Sequence, residues 1–296
     1  MYYMTGFADE VSGDVDRQIA ALQKLGWKNL ESRGIFGNKN IASVSDAEFE
    51  EFQGKLKDAG IAVNCYGSGI ANWSKHITES PDSSYEELAK AIPRLQKLGT
   101  RMVRVMSFFV PDELKSTSWE LEEEVVKRMK HLVSMAEDAG LLLVHENCRN
   151  WGGLSFEHTL RLLDRIQSPA FKLVFDTGNP VFNDDVRGNP PYKRQSSWEF
   201  YKNVREFVSY VHIKDGVMNG DKMEFCFAGE GDGDAVKIFE DLARSGYDGG
   251  FSIEPHMGAV FHDSSVTNPE QYKFDVFVEY GQRCEAMLKA AYGKIQ

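Results

Sequence analysis

The sequence predicts an α/β protein built as a single (β/α)8 barrel over residues 1–296. Three observations carry that prediction. A junction recurs at least five times in which an amphipathic segment ends at a glycine and an apolar run follows at once: KLGWKNLE at Gly26, DAGIAVNC at Gly60, KLGTRMVRV at Gly99, DAGLLLVHE at Gly140 and RSGYDGGFSIE at Gly246. Glycine just past a helix takes the left-handed conformation without a side-chain penalty, so each junction reads as helix, cap, strand. Counting the apolar runs gives eight strands, and strands alternating with helices of this length make a parallel sheet with helical crossovers. An open doubly wound sheet usually begins with a Gly-rich phosphate turn after its first strand, whereas the turn here is the acidic FADEVSGD.

In order, the strands are expected at Tyr3 to Phe7, Asn29 to Glu31, Ala62 to Tyr66, Met102 to Met106, Leu141 to Glu146, Lys172 to Asp176, Tyr210 to Ile213 and Gly250 to Glu254. The S-x-x-E pattern at Ser45 to Glu48 and again at Ser83 to Glu86 marks two helix starts, the hydroxyl capping a first-turn amide and the glutamate reaching back. Leu88, Ile92, Leu95 and Leu98, then Leu121, Val125, Met129, Leu132 and Met135, keep the helical spacing of a core-facing stripe. Three connections exceed what a barrel needs: 177–196, 214–231 with the GEGDGD turn, and 255–268. They follow strands six, seven and eight, so all three project from the C-terminal face, where active sites of such barrels lie. The tail 270–292 carries Phe274, Phe277, Tyr280, Met287 and Leu288, read as the eighth barrel helix and in part as a contact in a homo-oligomer.

Composition sets several classes aside. The run Leu141 to Val144 is far short of the roughly 18 apolar residues of a membrane span. The opening MYYMTGFADE lacks a basic and apolar leader, so a cytoplasmic address is expected. Cys65, Cys148, Cys226 and Cys284 are scattered with no C-x-x-C, which argues for buried thiols rather than disulfides or a cysteine zinc site. With 45 acids against 34 Lys and Arg, net charge -11, a nucleic-acid partner is not expected.

The central chemical signal is positional. Glu146 in LVHEN, Asp176 in VFDTGN, His212 in YVHIKD and Glu254 in SIEPH stand at the ends of strands five to eight. A closed barrel brings consecutive strand ends to one mouth, so three carboxylates and an imidazole converge there. Any one of the acids alone could form a salt bridge or a helix cap, and a lone histidine is commonly a hydrogen-bonded core residue. Three like charges in a desolvated mouth, however, call for a cation. Oxygen ligands with one histidine suit a divalent ion such as Mn²⁺, Mg²⁺, Co²⁺ or Zn²⁺, with soft copper least suited.

FADE after strand one, LESRG after strand two, then HEN, FDTGN, HIKD, the GEGDGD loop and IEPH follow one another over nearly the whole chain. In that order they resemble the xylose-isomerase-like TIM barrels, a superfamily of sugar isomerases and epimerases that also contains inosose dehydratases, hydroxypyruvate isomerases and endonuclease IV. The resemblance implies that Glu146, Asp176, His212 and Glu254 hold one divalent cation and that Glu146 and Glu254 are the catalytic acid and base. The chemistry is consistent with this. A cation that binds a carbonyl and its neighbouring hydroxyl stabilises an enediolate, and two flanking carboxylates can remove a proton from one face and return it to the other.

The expected activity is therefore a metal-dependent sugar isomerase or epimerase, with a dehydratase-like lyase on the same site as the alternative and a noncatalytic sugar-binding barrel as a second. Ketose 3-epimerases of the superfamily carry His, Glu and Arg where this chain has Asn179, Gly152 and Met218, so their substrate grip is absent. Endonuclease IV needs more histidines than this pattern supplies, which again disfavours nucleic acid.

Candidates for contact with a carbohydrate are Lys214, His256, Asn179, Trp151, Arg149 and Glu10. Lys214 and His256 lie two positions beyond His212 and Glu254, hence on the same face. Lys214 reads equally as a rim partner of Asp215 or Glu230, and Trp73 as packing. Arg104 is expected to pair with Glu31. The GEGDGD loop is read as a turn whose aspartate caps the next helix, and its acids oppose a phosphate, which favours an unphosphorylated sugar or keto-polyol.

Overall fold

The computed structural model describes residues 2–260 and 267–294. The chain runs β1 (Tyr3–Gly6), α1 (Val15–Leu25), β2 (Asn29–Ser32), α2 (Asp46–Ala59), β3 (Ala62–Gly67), α3 (Asp82–Leu98), β4 (Met102–Val105), α4 (Glu122–Ala139), β5 (Leu142–Glu146), α5 (Phe156–Ile166) and β6 (Phe171–Asp176). It continues through α6 (Asn179–Phe182), α7 (Ser197–Val204), β7 (Val208–Ile213), the hairpin β8 (Gly216–Asn219) and β9 (Lys222–Phe225), α8 (Ala235–Arg244), β10 (Gly250–Ile253) and α9 (Glu270–Gly293). Eight parallel strands are hydrogen-bonded in the order β1-β10-β7-β6-β5-β4-β3-β2, and β1 packs beside β2 to bring the two edges of the sheet together.

The junction glycines explain the periodicity. Gly26, Gly60, Gly99 and Gly140 each cap a helix at positive φ and turn the chain into the next strand, and Gly246 does so one residue past the α8 cap. Ser45 forms the full capping box with Glu48. The second predicted box, Ser83 to Glu86, does not form: α3 begins at Asp82, so Ser83 is already inside the helix, and the neighbouring Ser84 hydroxyl accepts from the Ala71 amide at 3.0 Å in the loop after β3. All four cysteines are free thiols, Cys65 and Cys284 buried and Cys148 and Cys226 half-buried.

Strand alternation divides the core in two. Leu30, Val103, Leu143, Leu173, Val211 and Phe251 face outward against the helices. Cys65, Val144, Val174 and Tyr210 fill the barrel interior, with Met102 and Leu142 packed on them. Two residues further along β4, β5, β6 and β7, the same inward face presents Arg104, Glu146, Asp176 and His212. The polar site thus stands directly on the apolar filling of the barrel.

The long connections have local structure. The one after β6 holds α6, and the one after β7 folds out as the β8–β9 hairpin. GEGDGD is not organised by a helix cap: Asp234 precedes α8 at φ 53° with no side-chain capping bond. Asp215 takes that role, its buried carboxylate accepting the amides of Gly216, Gly229, Gly231 and Gly233 at 2.7–3.2 Å. A Cβ on Gly231 would lie 2.4 Å from Asp215 Oδ1, which accounts for glycine there. Of the third connection, residues 261–266 lie outside the described residues.

Candidate functional site

Glu146, Asp176, His212 and Glu254, all buried, each offer a ligand atom, and these atoms lie within 4.8 Å of one another. The imidazole is aimed by its far nitrogen. His212 Nε2 sits 3.1 Å from both Glu31 carboxylate oxygens, and Glu31 is itself fixed by the Tyr210 hydroxyl at 2.8 Å. A proton held at Nε2 leaves Nδ1 facing the three carboxylates, 3.8 Å from Glu146 Oε1 and without a hydrogen-bond partner. Burial alone would lower this ring, but Glu31 and Glu146 outweigh it and hold its pKa up at about 10. A cation would therefore displace a proton from it. Asp176 Oδ2 likewise lacks a well-oriented hydrogen bond, although Lys214 Nζ lies 3.1 Å away. An orphaned imidazole nitrogen and an under-satisfied carboxylate oxygen amid two further carboxylates fit one divalent cation.

Three cations balance the acids. Lys214 Nζ bridges Asp176 and Glu254 at 3.1 and 2.8 Å, pointing into the barrel mouth rather than to Asp215 or Glu230, because alternation sends Asp215 into the glycine loop. Arg104 Nη1 lies 3.5 Å from Glu146 Oε2 and is not paired with Glu31, which instead reaches across the interior to β7. Arg33 joins Glu254 at 2.8 Å and clasps Asp9 at 2.8 and 3.0 Å. Burial would raise Glu146, but Arg104 and His212 bring it down to about 2. Burial likewise opposes ionisation of Glu254, and Lys214, His256 and Arg33 together hold it well below the usual carboxylate range. For Asp176 burial prevails over Lys214, and its carboxyl is raised.

The remaining candidates separate by position. His256 has a left-handed backbone, φ 54°, held by Glu10, which accepts its amide at 2.9 Å and bonds Nδ1 at 2.8 Å. That grip leaves Nε2 3.6 Å from Glu254 Oε1. Glu10 thus positions His256. Asn179 donates to Glu146 Oε1 at 2.8 Å, and its amide caps Asp176 Oδ1 at 2.7 Å. Arg149 lines the cavity, lies over Phe109 and meets Asp112 at 3.4 Å. Trp151 is displaced from the expected rim: fully buried, its indole donates to the Ser118 carbonyl at 2.7 Å and its ring packs on Trp119 and His158, so it offers no face to a sugar. Residue-by-residue reading left out Arg33 and the orienting role of Glu31. The signal was present in LESRG, where alternation puts Glu31 and Arg33 on one inner face.

Above this floor opens a cavity of about 700 Å³, lined at its base by Arg33, Arg104, Glu146, Lys214, Glu254 and His256.

Comparison with known proteins agrees with this architecture. The family described as xylose isomerase-like TIM barrel matches residues 19–274. An inosose dehydratase of Bacillus anthracis is 26% identical over 165 residues, covering 51% of this chain and 50% of that one, so the chain spans about half the length of the named relatives it matches. Among solved structures, a D-tagatose 3-epimerase-like protein superposes with TM-score 0.72 at 17% identity over 99% of this chain and 100% of that chain. A xylose isomerase-like TIM barrel protein from Mycobacterium smegmatis in complex with magnesium gives TM-score 0.69 at 16% identity over 98% and 97%. Eight parallel strands, four inward polar residues at neighbouring strand ends and a match over most of the sequence lead to one conclusion: the chain belongs to the xylose isomerase-like TIM barrel family.

Proposed function

We propose that this protein is a divalent-metal-dependent enzyme that isomerises or epimerises an unphosphorylated sugar or keto-polyol by removing a proton beside a carbonyl. The observation that carries the reading is the unpartnered Nδ1 of His212, held by Glu31 toward Glu146, Asp176 and Glu254. A cation bound there, Mn²⁺ foremost, supplies electrophilic stabilisation for charge developing on a carbonyl and its neighbouring hydroxyl.

The residues of the chain do the rest. Glu146 and Glu254 come from β5 and from the residue after β10, the outer two of four neighbouring strands, so they flank whatever sits between them. One takes the proton and the other returns it. Lys214, between Asp176 and Glu254, is placed to donate to a substrate oxygen. The glycine-loop amides that could cradle a phosphate already serve Asp215, which favours an unphosphorylated substrate. The names of the B. anthracis relative and of the epimerase-like neighbour support carbohydrate as the substrate class.

With Mn²⁺ present, a substrate C–H should exchange with solvent deuterium. Glu254→Gln should still take up metal but lose exchange by at least about 100-fold; unchanged exchange in that variant refutes the role given to Glu254.

A lyase is the second reading, favoured by His256. Its Nε2 lies 3.6 Å from Glu254 Oε1, which sets an imidazole beside that carboxylate as an extra proton-transfer group for a departing hydroxyl. An unsaturated product in place of an isomer would select it.

A further inference from the structure

The mouth of the cavity is built for more than a monosaccharide. Its volume of about 700 Å³ is several times that of one six-carbon sugar and falls in the range of sites that take drug-sized ligands. Charged groups at the strand ends form the floor, and the loops above it bring two sets of apolar side chains among polar ones such as Asn72, Arg149, Asn183 and Asp221. On one side stand Trp73 and Phe109, from the connections after β3 and β4, with the His76 ring 4.8 Å from that of Phe109. On the other stand Phe182, Met218, Met223 and Phe225, from α6 and the hairpin. In the strand order β3 and β7 are four places apart, so the Trp73 loop and the hairpin face each other across the mouth. Rings connect the second wall to the floor, Phe182 to Phe225 at 5.2 Å and Phe225 to His256 at 5.0 Å.

Two of these side chains, Trp73 at 37% and Met223 at 46%, are among the few large apolar residues left exposed among those described. The rim cations do not supply a phosphate site, since each is matched by a carboxylate. Lys115 lies 2.8 Å from both Asp112 and Asp184, Arg194 2.8 Å from Asp184, and Arg149 3.4 Å from Asp112.

We propose that the substrate is a sugar or keto-polyol carrying a flat apolar substituent, of aryl-glycoside size, with its polar ring on the carboxylate floor and the substituent held between the Trp73 loop and the hairpin. This rests on the proton-abstraction reading above. The charged floor recognises hydroxyls and a carbonyl, and the two walls desolvate an aromatic face by stacking and thioether contact.

The test uses the full-length protein saturated with Mn²⁺ and matched phenyl and methyl pairs of D-glucoside, D-galactoside and D-xyloside, with glucose 6-phosphate alongside, read by calorimetry. At least one phenyl compound should bind ten-fold or more tightly than its methyl partner. Trp73→Ala and Met223→Ser, both at exposed positions and checked for unchanged Tm, should each cut that ratio at least three-fold while leaving methyl binding within two-fold. Equal phenyl and methyl binding in every pair, no binding in any pair, or tightest binding of the phosphate overturns the proposal. Deuterium exchange is measured in parallel on simple keto-sugars and on keto-sugars that carry a phenyl substituent. Exchange without a phenyl preference overturns this inference and leaves the reaction standing, whereas a phenyl preference without exchange on any keto-sugar upholds the apolar mouth and removes the reaction assigned to the floor.

Discussion

Glu31 is buried, yet it decides which nitrogen of His212 faces the carboxylates. Its two oxygens lie 3.1 Å from Nε2, and a partner at that position is what normally fixes the tautomer of a metal-binding imidazole. Glu31→Gln should therefore weaken divalent-cation affinity by roughly 10–100-fold without unfolding the chain, as read by calorimetric titration; an unchanged affinity would deny Glu31 this role. A second buried histidine behaves differently. His158 sits against Trp119 and Trp151 with its nitrogens on Ser118 and Ser155 at 3.1 and 2.8 Å, and burial pushes its pKa down to about 3. Since the ordinary value is 6.5, the unfolded chain takes up this proton first, so stability contributed by the neutral ring is complete above pH about 6.5 and is lost as pH falls toward about 3. Urea unfolding between pH 7 and 4 should show that fall in the native protein and a shallower one in His158→Gln. Equal slopes would remove His158 as its source.

At the scale of elements, the loop between the hairpin and α8 shows how one carboxylate can order a glycine-rich segment. Asp215 stands just past β7, where alternation turns its side chain away from the mouth while Lys214 points in. Burial raises its carboxyl, and the four glycine amides offset part of that cost. Asp215→Ala would leave those amides without an acceptor, and with a penalty of about 1–3 kcal/mol for each buried unpaired group, here the Gly216 and Gly233 amides, the variant should lose roughly 2 kcal/mol or more. Chemical denaturation measures this, and a loss below about 1 kcal/mol would mean that the loop is held by other contacts. The hairpin itself pairs Val217 with Glu224 and Met218 with Met223, so Met218 and Met223 are cross-strand neighbours above the cavity.

For the whole molecule, the barrel supports an unfavourable concentration of charge. Glu31, Glu146, Asp176 and Glu254 are buried with Arg33, Arg104 and Lys214 on top of an apolar interior of Cys65, Val144, Val174 and Tyr210. Removing one partner from such a group is costly, because the other charge stays buried. A cation that binds the folded site and not the unfolded chain adds stability by mass action, about 2.7 kcal/mol at a hundred-fold excess over Kd. For a chain of 296 residues that is roughly 4 °C in Tm. Differential scanning calorimetry with Mn²⁺ or Mg²⁺ should show the rise and a chelator should reverse it; no shift with any divalent ion would remove the metal centre.

The repeat and the ring of polar strand ends follow from local properties of the chain. Gly26, Gly60, Gly99 and Gly140 are local caps, and inward or outward placement follows from a two-residue period, so the strands and the convergence of Glu146, Asp176, His212 and Glu254 were legible from short stretches of chain. Which groups meet inside the barrel depends on how the strands pack around it. Alternation says that Arg104, Glu31 and Lys214 point inward, but their partners depend on strand stagger and on reach across the barrel: Arg104 found Glu146, Glu31 found His212 and Tyr210, and Lys214 found Asp176 and Glu254. Trp151 shows the same limit for loops, since a four-residue 3-10 turn from Trp151 to Leu154 carries its indole under Trp119 instead of onto the rim. Local period and capping act over a few bonds, whereas the pairing of charges is a contest among all groups that closure of the barrel brings within reach.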